Sequence, residues 1–374
     1  MPSPLRVVSV ASNKGGVGKT TLATNLAVYL RALREDLPVL LLGLDDQGLI
    51  DRMFALEVAP PKRNALDALR DGDLASAIRL GQYGVHYVPT SPMISELGAE
   101  LRDPFGLRPL LEASGFGGLV LLDTPGDLGP LTRSALAASD LALVVVADQS
   151  SLDQAGRIYA LLREWGRPPE LARIVLSLVD LRVKYRGAEA GDILALLVSE
   201  IRRRGHPLLG SFVSRSPKIE SLVTNPHGRA LSILHGARGS LIDRQFGHLA
   251  HDLLELLEGS GAPAAGRPAE RRHCERRPYP RRVPAFRFAA PPVVSLAARD
   301  LSCEGMGIEA GPRLEPGERL HVALGHATGS ESLLVWARVA RGHVGGPMGL
   351  RFEGPEPVRQ HLAELVAALP RESP

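Results

Sequence analysis

The sequence predicts an α/β fold, with a doubly wound and mostly parallel sheet followed by a small antiparallel β-barrel. Residues 1–258 alternate between continuous apolar runs of strand length and amphipathic helical stretches. This pattern is typical of a parallel sheet that helices cover on both faces. Residues 259–272, rich in Gly, Ala, Pro and Arg, predict a flexible basic linker. Residues 273–374 hold short apolar runs with Gly and Pro turns and no crossover helices, which favours a barrel.

The predicted elements follow one another in a regular order. In the first part we predict strands at RVVSVAS, VLLLGLD, VHYVPTS, LVLLDTP, LALVVVAD, RIVLSLVD and LLGSFVS. Helices are predicted at TTLATNLAVYLRALRE and QAGRIYALLREW, with a closing helix at FGHLAHDLLELL. In the last part we predict strands in FRFAAPPVVSLAARDLS, RLHVALGH, SLLVWARVARGHV and GPMGLRFEG, and a final helix at PVRQHLAELVAAL.

The composition is that of an ordinary globular protein of 374 residues, with 44% hydrophobic and 23% charged residues. No apolar run reaches the ~18 residues that span a bilayer, and no signal peptide is recognisable at the start. The only two cysteines, Cys274 and Cys303, lack metal-site spacing and fit a reducing compartment. We therefore expect a cytoplasmic protein without a transmembrane segment.

The net charge of +3 is unevenly distributed along the chain. Residues 267–287 alone carry eight Arg against two Glu, whereas the first 258 residues have a net charge of −1 (28 basic and 29 acidic residues). A local basic segment indicates a local anionic ligand rather than a surface that coats nucleic acid.

A glycine-rich loop follows the first predicted strand and precedes the first predicted helix, in SVASNKGGVGKTTLATNLAVYL. Its glycines allow a tight turn that aims backbone N–H groups at phosphate oxygens, and the helix N-terminus adds a positive dipole end. In such a loop, Lys19 bridges the β- and γ-phosphates of ATP and the Thr20 hydroxyl binds Mg²⁺. The predicted ATP-binding residues are Lys14, Gly15, Gly16, Val17, Gly18, Lys19, Thr20 and Thr21.

The segment KGGVGKTT resembles the deviant Walker A motif of ParA/MinD-type ATPases, and the resemblance covers most of residues 5–258. It implies an ATP-dependent homodimer in which Lys14 reaches the partner's phosphates. The segment LLDTPGDLGPLTRSALAASD is similar to the family's Walker B and second switch, which implies that Asp123 holds the Mg²⁺ shell. Neither cysteine lies in this part of the chain, which excludes the related nitrogenase iron proteins.

The segment VLLLGLDDQG resembles the family's first switch, usually Asp-x-Asp-Pro-Gln-Gly, with two departures. Asp45 matches the second Asp, which implies that it orients the attacking water, so Lys14, Lys19 and Asp45 are the predicted catalytic residues. Gly43 stands in place of the first Asp, and Asp46 in place of the Pro. Because a carboxylate near Mg²⁺ is lost, the sequence predicts nucleotide binding more firmly than ATP turnover.

The arginines of RRPYPRR stand on an extended segment, because Pro278 and Pro280 exclude a helix. Arg277-x-x-x-Arg281, followed by the Asp300-x-Ser302-x-x-Gly305 pattern, resembles the PilZ domain, a receptor for cyclic di-GMP. A guanidinium group matches phosphate and guanine edges bidentately, and the Asp300 carboxylate and Ser302 hydroxyl suit guanine N–H groups. Gly305 would allow a close backbone approach. The alternatives left open are a solvated basic linker and a barrel that only docks a partner.

ParA-type relatives bind DNA without sequence preference, and Arg202, Arg203 and Arg204 form a comparable basic cluster in IRRRGHP. A solvated helix end explains these arginines equally well. The predicted function is an ATPase regulated by cyclic di-GMP that positions a cargo with an unknown protein partner. Two alternatives remain, a nucleotide switch or scaffold that barely hydrolyses ATP and a DNA-partitioning ATPase whose barrel ignores the dinucleotide.

Overall fold

The computed structural model describes residues 4–369 except 57–62, 102, 181–183, 186–190, 224–229, 260–275, 288–292, 313, 315–317, 326–331, 342–347 and 354–355. By its contacts the chain divides into two compact units, residues 1–183 with 200–260 and residues 184–199 with 261–374. The linker predicted at 259–272 lies outside the described residues, except for Gly259, which ends a helix. Within the described residues, no helix combines the length and apolar character that crossing a membrane requires.

The strands before residue 260 are β1 Arg6–Ala11, β2 Val39–Gly43, β3 Arg79–Leu80, β4 His86–Val88, β5 Leu119–Asp123, β6 Leu141–Val146, β7 Ala172–Val179, β8 Lys184–Tyr185, β9 Gly191–Asp192 and β10 Leu208–Ser214. The helices are α1 Lys19–Leu33, α2 Leu49–Phe54, α3 Ala65–Asp71, α4 Leu97–Glu100, α5 Leu107–Ala113, α6 Pro130–Ala138, α7 Gln149–Glu164, α8 Ile193–Arg203, α9 Pro217–Val223, α10 Ile233–Gly236 and α11 Leu241–Gly259.

Eight strands form one sheet in the order β10-β7-β6-β1-β5-β2-β4-β3, in which only the β3–β4 pair is antiparallel. All seven strands predicted before residue 260 are present in it. Sequence reasoning missed the antiparallel edge strand β3 and the short β8–β9 ribbon, because two-residue strands carry no apolar periodicity.

Both faces of this sheet are buried, which explains why its strands are apolar without interruption. On β1, Val8 and Val10 point into a core with α1 and α11, where the Tyr29 and Phe246 rings stack at a centroid distance of 5.8 Å. Val7 points into a second core, on the opposite face, with α3, α5 and α6. The carboxyl ends of the parallel strands therefore meet at one edge, where the glycine-rich loop lies.

The described residues after 275, which belong to the second unit, form a barrel with one helix. Its elements are β11 Arg277–Pro278, β12 Arg282–Arg287, β13 Val293–Ser302, β14 Gly305–Ala310, β15 Arg319–Gly325, β16 Ser332–Arg341, β17 Met348–Glu353 and α12 Glu356–Ala367. Six strands run in the antiparallel order β13-β12-β15-β16-β17-β14, and the β13–β14 pairing closes the barrel. The predicted antiparallel barrel and final helix are thus confirmed, and α12 packs its apolar residues into the barrel core.

Candidate functional site

The glycine-rich loop lies between β1 and α1 in the conformation that its glycines permit. Gly16 and Gly18 have φ values of 74° and 89°, in the left-handed region that side chains disfavour. Gly18 is the N-cap of α1, so Lys19, Thr20 and Thr21 form its first turn. Val17 is 1% exposed and anchors the loop to the core. The N–H groups at this helix end are thus placed to bind an anion.

The ammonium group of Lys14 is held by the first turn of α7 in this structure. Its Nζ lies 2.7 Å from Oδ2 of Asp148, the N-cap of α7. The neighbouring Asn13 donates from Nδ2 to Oε1 of Gln154 at 2.9 Å. The two polar residues before the glycines are therefore tethered to α7. Sequence reasoning missed Asp148, because it lies 134 residues away.

Asp123 ends β5 beside the loop and is 1% exposed. Burial raises its pKa to about 7, and the Thr20 hydroxyl and the Lys19 ammonium only partly oppose this effect. Among the described residues, Oδ1 of Asp123 has no hydrogen-bond partner. A buried carboxylate with an unsatisfied oxygen next to a threonine hydroxyl fits the oxygen-ligand shell of a hydrated Mg²⁺ ion.

Lys19 is 6% exposed and lies among carboxylates. Burial lowers its pKa, while the charges of Asp123, Asp45 and Asp127 oppose that shift. Its Nζ is 3.4 Å from the carbonyl oxygen of Lys14, so the ammonium group points back along the loop. A compact cation in this position suits the β- and γ-phosphates of a nucleotide.

The first switch segment begins where β2 ends, beside Asp123. Burial is the main reason why the pKa of Asp45 is raised, with Lys19 opposing. Asp46 accepts a hydrogen bond from the Ser95 N–H. A Cβ atom at Gly43 would lie 2.6 Å from Cδ1 of Ile50, so Ile50 occupies the space that the Cβ atom of an aspartate would need.

The second switch segment touches the glycine-rich loop through a glycine. A Cβ atom at Gly126 would lie 2.9 Å from the Cα atom of Gly15, so only glycine allows this approach. Asp127, the next residue, accepts a hydrogen bond from the Gly129 N–H at 2.8 Å. In this segment the sequence pattern indicated Asp123 but neither Gly126 nor Asp127.

In the second unit, β11 brings the two halves of the predicted dinucleotide motif together. Arg277 pairs with Leu301 and Pro278 with Asp300, in antiparallel register. Tyr279 is buried at 1% exposure, and its N–H donates to the Arg299 carbonyl at 2.8 Å. The arginine segment is therefore extended, as predicted, and fixed along β13.

The two predicted arginines have different environments. Arg281 is exposed, with its guanidinium carbon 5.3 Å from the centre of the Tyr279 ring. Arg277 is only 9% exposed, and its Nη1 donates to the carbonyl oxygens of Ala367 and Leu369 at 2.8 and 2.6 Å. Arg277 thus binds the C-terminal end of α12 in this structure, a contact that the motif did not reveal.

The remaining motif residues lie in and around the β13–β14 hairpin. Asp300 binds the guanidinium groups of Arg276 and Arg299, which lower its pKa although burial alone would raise it. The Ser302 hydroxyl is buried and donates to the Gly305 carbonyl at 3.1 Å. A Cβ atom at Gly305 would lie 2.2 Å from the Leu350 carbonyl oxygen, so this glycine is needed for β14 to pack on β17.

Cys303, in the turn of this hairpin, is disulfide-bonded. The only other cysteine of the sequence, Cys274, lies outside the described residues. Separation along the chain could not indicate this bond, because it depends on how the barrel folds.

The basic cluster at the end of α8 is largely neutralised. Arg203 binds Glu200 at 2.6 Å, and Arg204 binds Glu200 at 2.7 Å and Asp153 at 2.6 Å. Arg202 is exposed. Two of the three arginines predicted to face DNA therefore bind carboxylates of this chain.

Comparison with known proteins matches both units. A family model described as an AAA domain (AAA_31) matches residues 5–164, and the PilZ domain model matches residues 270–368. The chromosome partitioning protein ParA of Caulobacter vibrioides is 31% identical over 207 residues, which cover 52% of this chain and 77% of that protein. The chromosome-partitioning ATPase Soj of Thermus thermophilus is 36% identical over 162 residues, which cover 43% of this chain and 62% of Soj.

Solved structures share the fold of the first unit. MinD from Pyrococcus horikoshii, complexed with Mg-ADP, has a TM-score of 0.52 and 20% identity, covering 68% of this chain and 97% of MinD. Cobyrinic acid a,c-diamide synthase from Mycobacterium smegmatis, with a bound ATP analogue and magnesium, has a TM-score of 0.53 and 20% identity over 68% of this chain and 97% of that one. With its glycine-rich loop, switch segments and closed barrel, the chain therefore belongs to the ParA/Soj-like family of P-loop ATPases and carries a C-terminal PilZ domain.

Proposed function

We propose that this protein is an ATP-hydrolysing, ATP-dependent dimer whose PilZ domain binds cyclic di-GMP and thereby regulates the positioning or partitioning of a cellular cargo. The observation that carries the proposal is the pairing of β11 with β13, which places both halves of a dinucleotide motif side by side in a chain that also holds a P-loop. Binding of cyclic di-GMP, regulation by this ligand and hydrolysis of ATP are the three proposed properties.

The nucleotide site supports ATP as the substrate. The N–H groups from Gly15 to Thr21 would bind the phosphates, with Lys19 on the β- and γ-phosphates. Thr20 and Asp123 would hold Mg²⁺, which neutralises charge that develops on the transferred phosphoryl group. Asp45 is half-buried near Lys19 and would orient the attacking water. Since this transfer depends mainly on placement, a fixed carboxylate suffices.

Dimerisation is proposed from the position of Lys14. The side chains of Lys14 and Asp148 are 34% and 47% exposed, so their salt bridge contributes at most about 1 kcal/mol to stability. Phosphate oxygens of a partner's nucleotide would compete readily for this ammonium group, because charge-assisted bonds to phosphate are strong. ATP bound between two chains would therefore draw Lys14 away from α7.

Cyclic di-GMP is the proposed ligand of the barrel because its two phosphates and two guanines match the arginine segment. Arg281 is exposed on a segment that Tyr279 and Pro280 hold extended, which lowers the entropy cost of binding. For Arg277 to join the ligand, its guanidinium group would have to leave the carbonyls at the end of α12. Ligand binding would thus change how the C-terminal helix is held.

Equilibrium binding of labelled cyclic di-GMP to the full-length chain tests the receptor role. We expect saturable binding by the wild type, loss in Arg281→Ala, and retention in Arg282→Ala, an exposed neighbour outside the motif. Absence of wild-type binding, with and without ATP, would refute the receptor role and leave the barrel as a docking module.

A nucleotide switch that barely hydrolyses ATP is the second candidate, and Gly43 favours it. Steady-state phosphate release separates the two, because an ATPase requires turnover that falls at least tenfold in Asp45→Ala. A third candidate, the DNA-partitioning ATPase, draws on the basic cluster at the end of α8, where Arg202 is exposed but Arg203 and Arg204 bind carboxylates of this chain. Salt-sensitive DNA binding that cyclic di-GMP does not change would favour that third candidate.

A further inference from the structure

The first switch cannot supply the carboxylate that Gly43 lacks. Ile50 is 1% exposed, and its Cδ1 atom would lie 2.6 Å from a Cβ atom at position 43. A contact this short requires the Cδ1 end of Ile50 to move before position 43 can carry a side chain. The hydrophobic core has thus closed over the space where a switch carboxylate would begin.

The second switch carries a different carboxylate next to the glycine-rich loop. Gly126 lies directly against the glycine-rich loop, because its added Cβ would be 2.9 Å from Cα and 3.1 Å from N of Gly15. Asp127 follows immediately and is exposed. Its charge acts on the Lys19 ammonium group, as do the charges of Asp123 and Asp45. The Gly126 contact sets the second switch against the glycine-rich loop, and the Asp127 charge reaches the Lys19 ammonium group.

One oxygen of Asp127 has a local structural role, and the other leaves room for a ligand. Oδ1 accepts the Gly129 N–H at 2.8 Å and shapes the turn before α6. A carboxylate has two oxygens and about four acceptor positions, so a further hydrogen bond from a metal-bound water is compatible with this turn.

We propose that Asp127 is a positioning residue that replaces the switch carboxylate lost at Gly43, by accepting hydrogen bonds from the water shell of Mg²⁺ bound at Thr20 and Asp123. The carboxylate has moved from the first switch to the second, while the site keeps its negative charge. This inference rests on the proposed ATP–Mg²⁺ site and adds a residue to it.

The test measures metal dependence of binding rather than turnover. A fluorescent non-hydrolysable ATP analogue is titrated into the full-length chain at a series of Mg²⁺ concentrations and in EDTA. Asp127→Asn keeps an Oδ1 acceptor for Gly129 and removes only the charge. We expect the Mg²⁺ concentration for half-maximal binding to rise roughly tenfold, as is typical when an outer-shell partner of a metal is lost. Binding in EDTA should stay equal to the wild type or become tighter.

Asp103→Asn is the matched control, because Asp103 is exposed and accepts the Phe105 N–H in the same two-residue geometry, at 2.9 Å. This variant should leave the Mg²⁺ concentration for half-maximal analogue binding, the Mg²⁺ midpoint, within twofold of the wild-type value. The double substitution Gly43→Asp and Ile50→Val introduces the switch carboxylate and removes the clashing Cδ1 atom. In the Asp127→Asn background it should return the Mg²⁺ midpoint to the wild-type value.

The outcomes separate this inference from the proposed function. An Asp127→Asn midpoint within twofold of the wild type, or an equal shift in Asp103→Asn, overturns the role of Asp127 while the nucleotide site stands. A wild-type chain that binds no analogue at any Mg²⁺ concentration refutes the ATP site itself. A shift in Asp127→Asn that Gly43→Asp with Ile50→Val reverses supports the exchange of carboxylates.

Discussion

Removal of the Arg277 side chain should destabilise the barrel, whereas removal of Arg281 should abolish ligand binding at little cost in stability. Arg277 is 9% exposed and donates from Nη1 to two carbonyl oxygens at the end of α12, at 2.8 and 2.6 Å. A hydrogen bond from a charged donor contributes about 1.5–3 kcal/mol, and a cation at a helix C-terminus adds to this. Arg277→Ala should therefore lower the free energy of unfolding by about 2–3 kcal/mol.

For a domain of this size, a loss of about 2–3 kcal/mol in the free energy of unfolding corresponds to a fall in Tm of roughly 10–20 °C. Arg281 is exposed, and its contact with the Tyr279 ring at 5.3 Å is worth about 0.5–1 kcal/mol. Arg281→Ala should therefore lower Tm by no more than about 8 °C, since 1 kcal/mol corresponds to 4–8 °C. Both variants should lose cyclic di-GMP binding.

The two tryptophans of the sequence make the assay specific for the barrel. Trp165 is the C-cap of α7, and Trp336 is 3% exposed on β16. In a Trp165→Phe background, the fluorescence of the full-length chain on heating reports the unfolding of the barrel alone. Arg277→Lys keeps the positive charge but not the planar guanidinium group, so the barrel of this variant should unfold at a temperature between those of the wild type and Arg277→Ala. An Arg277→Ala barrel that unfolds at the wild-type temperature would refute the structural role of the α12 contact.

Three further results are expected. Lys14→Ala should bind ATP with near wild-type affinity but stay monomeric in sedimentation with ATP, and a normal ATP-dependent dimer would contradict its role. Because burial raises the pKa of Asp123 to about 7, the folded ligand-free protein binds this proton more tightly than the unfolded chain does. The stability due to the protonated carboxyl group is present below about pH 4 and is lost as pH rises through 7. Asp123→Asn should therefore raise Tm by several degrees at pH 8 and leave it unchanged at pH 4. Equal Tm values for the variant and the wild type at pH 8 would contradict the raised pKa of Asp123. Glu200→Gln frees Arg203, while Arg204 keeps its contact with Asp153, so the variant should strengthen non-specific DNA binding and steepen its salt dependence. Unchanged binding would exclude Arg203 as part of a DNA surface.

The sequence alone determined the fold class, most of the longer elements and the two families. Strand and helix periods are local, so apolar runs such as LVLLDTP identified strands without any knowledge of their neighbours. The phosphate loop and the arginine motif are local as well, because backbone conformation needs glycine or proline at fixed spacing. Short elements without periodicity, such as β3 and the β8–β9 ribbon, could not be predicted this way.

Only the tertiary structure decided what the predicted side chains contact. It tethers Lys14 to Asp148, fills the space beside Gly43 with Ile50, and holds Arg277 at the end of α12, 90 residues further along the chain. None of these contacts leaves a periodic trace in the sequence. They arise because a closed barrel and a parallel sheet bring distant residues together, and a guanidinium or ammonium group binds whichever oxygen the fold places within about 3 Å.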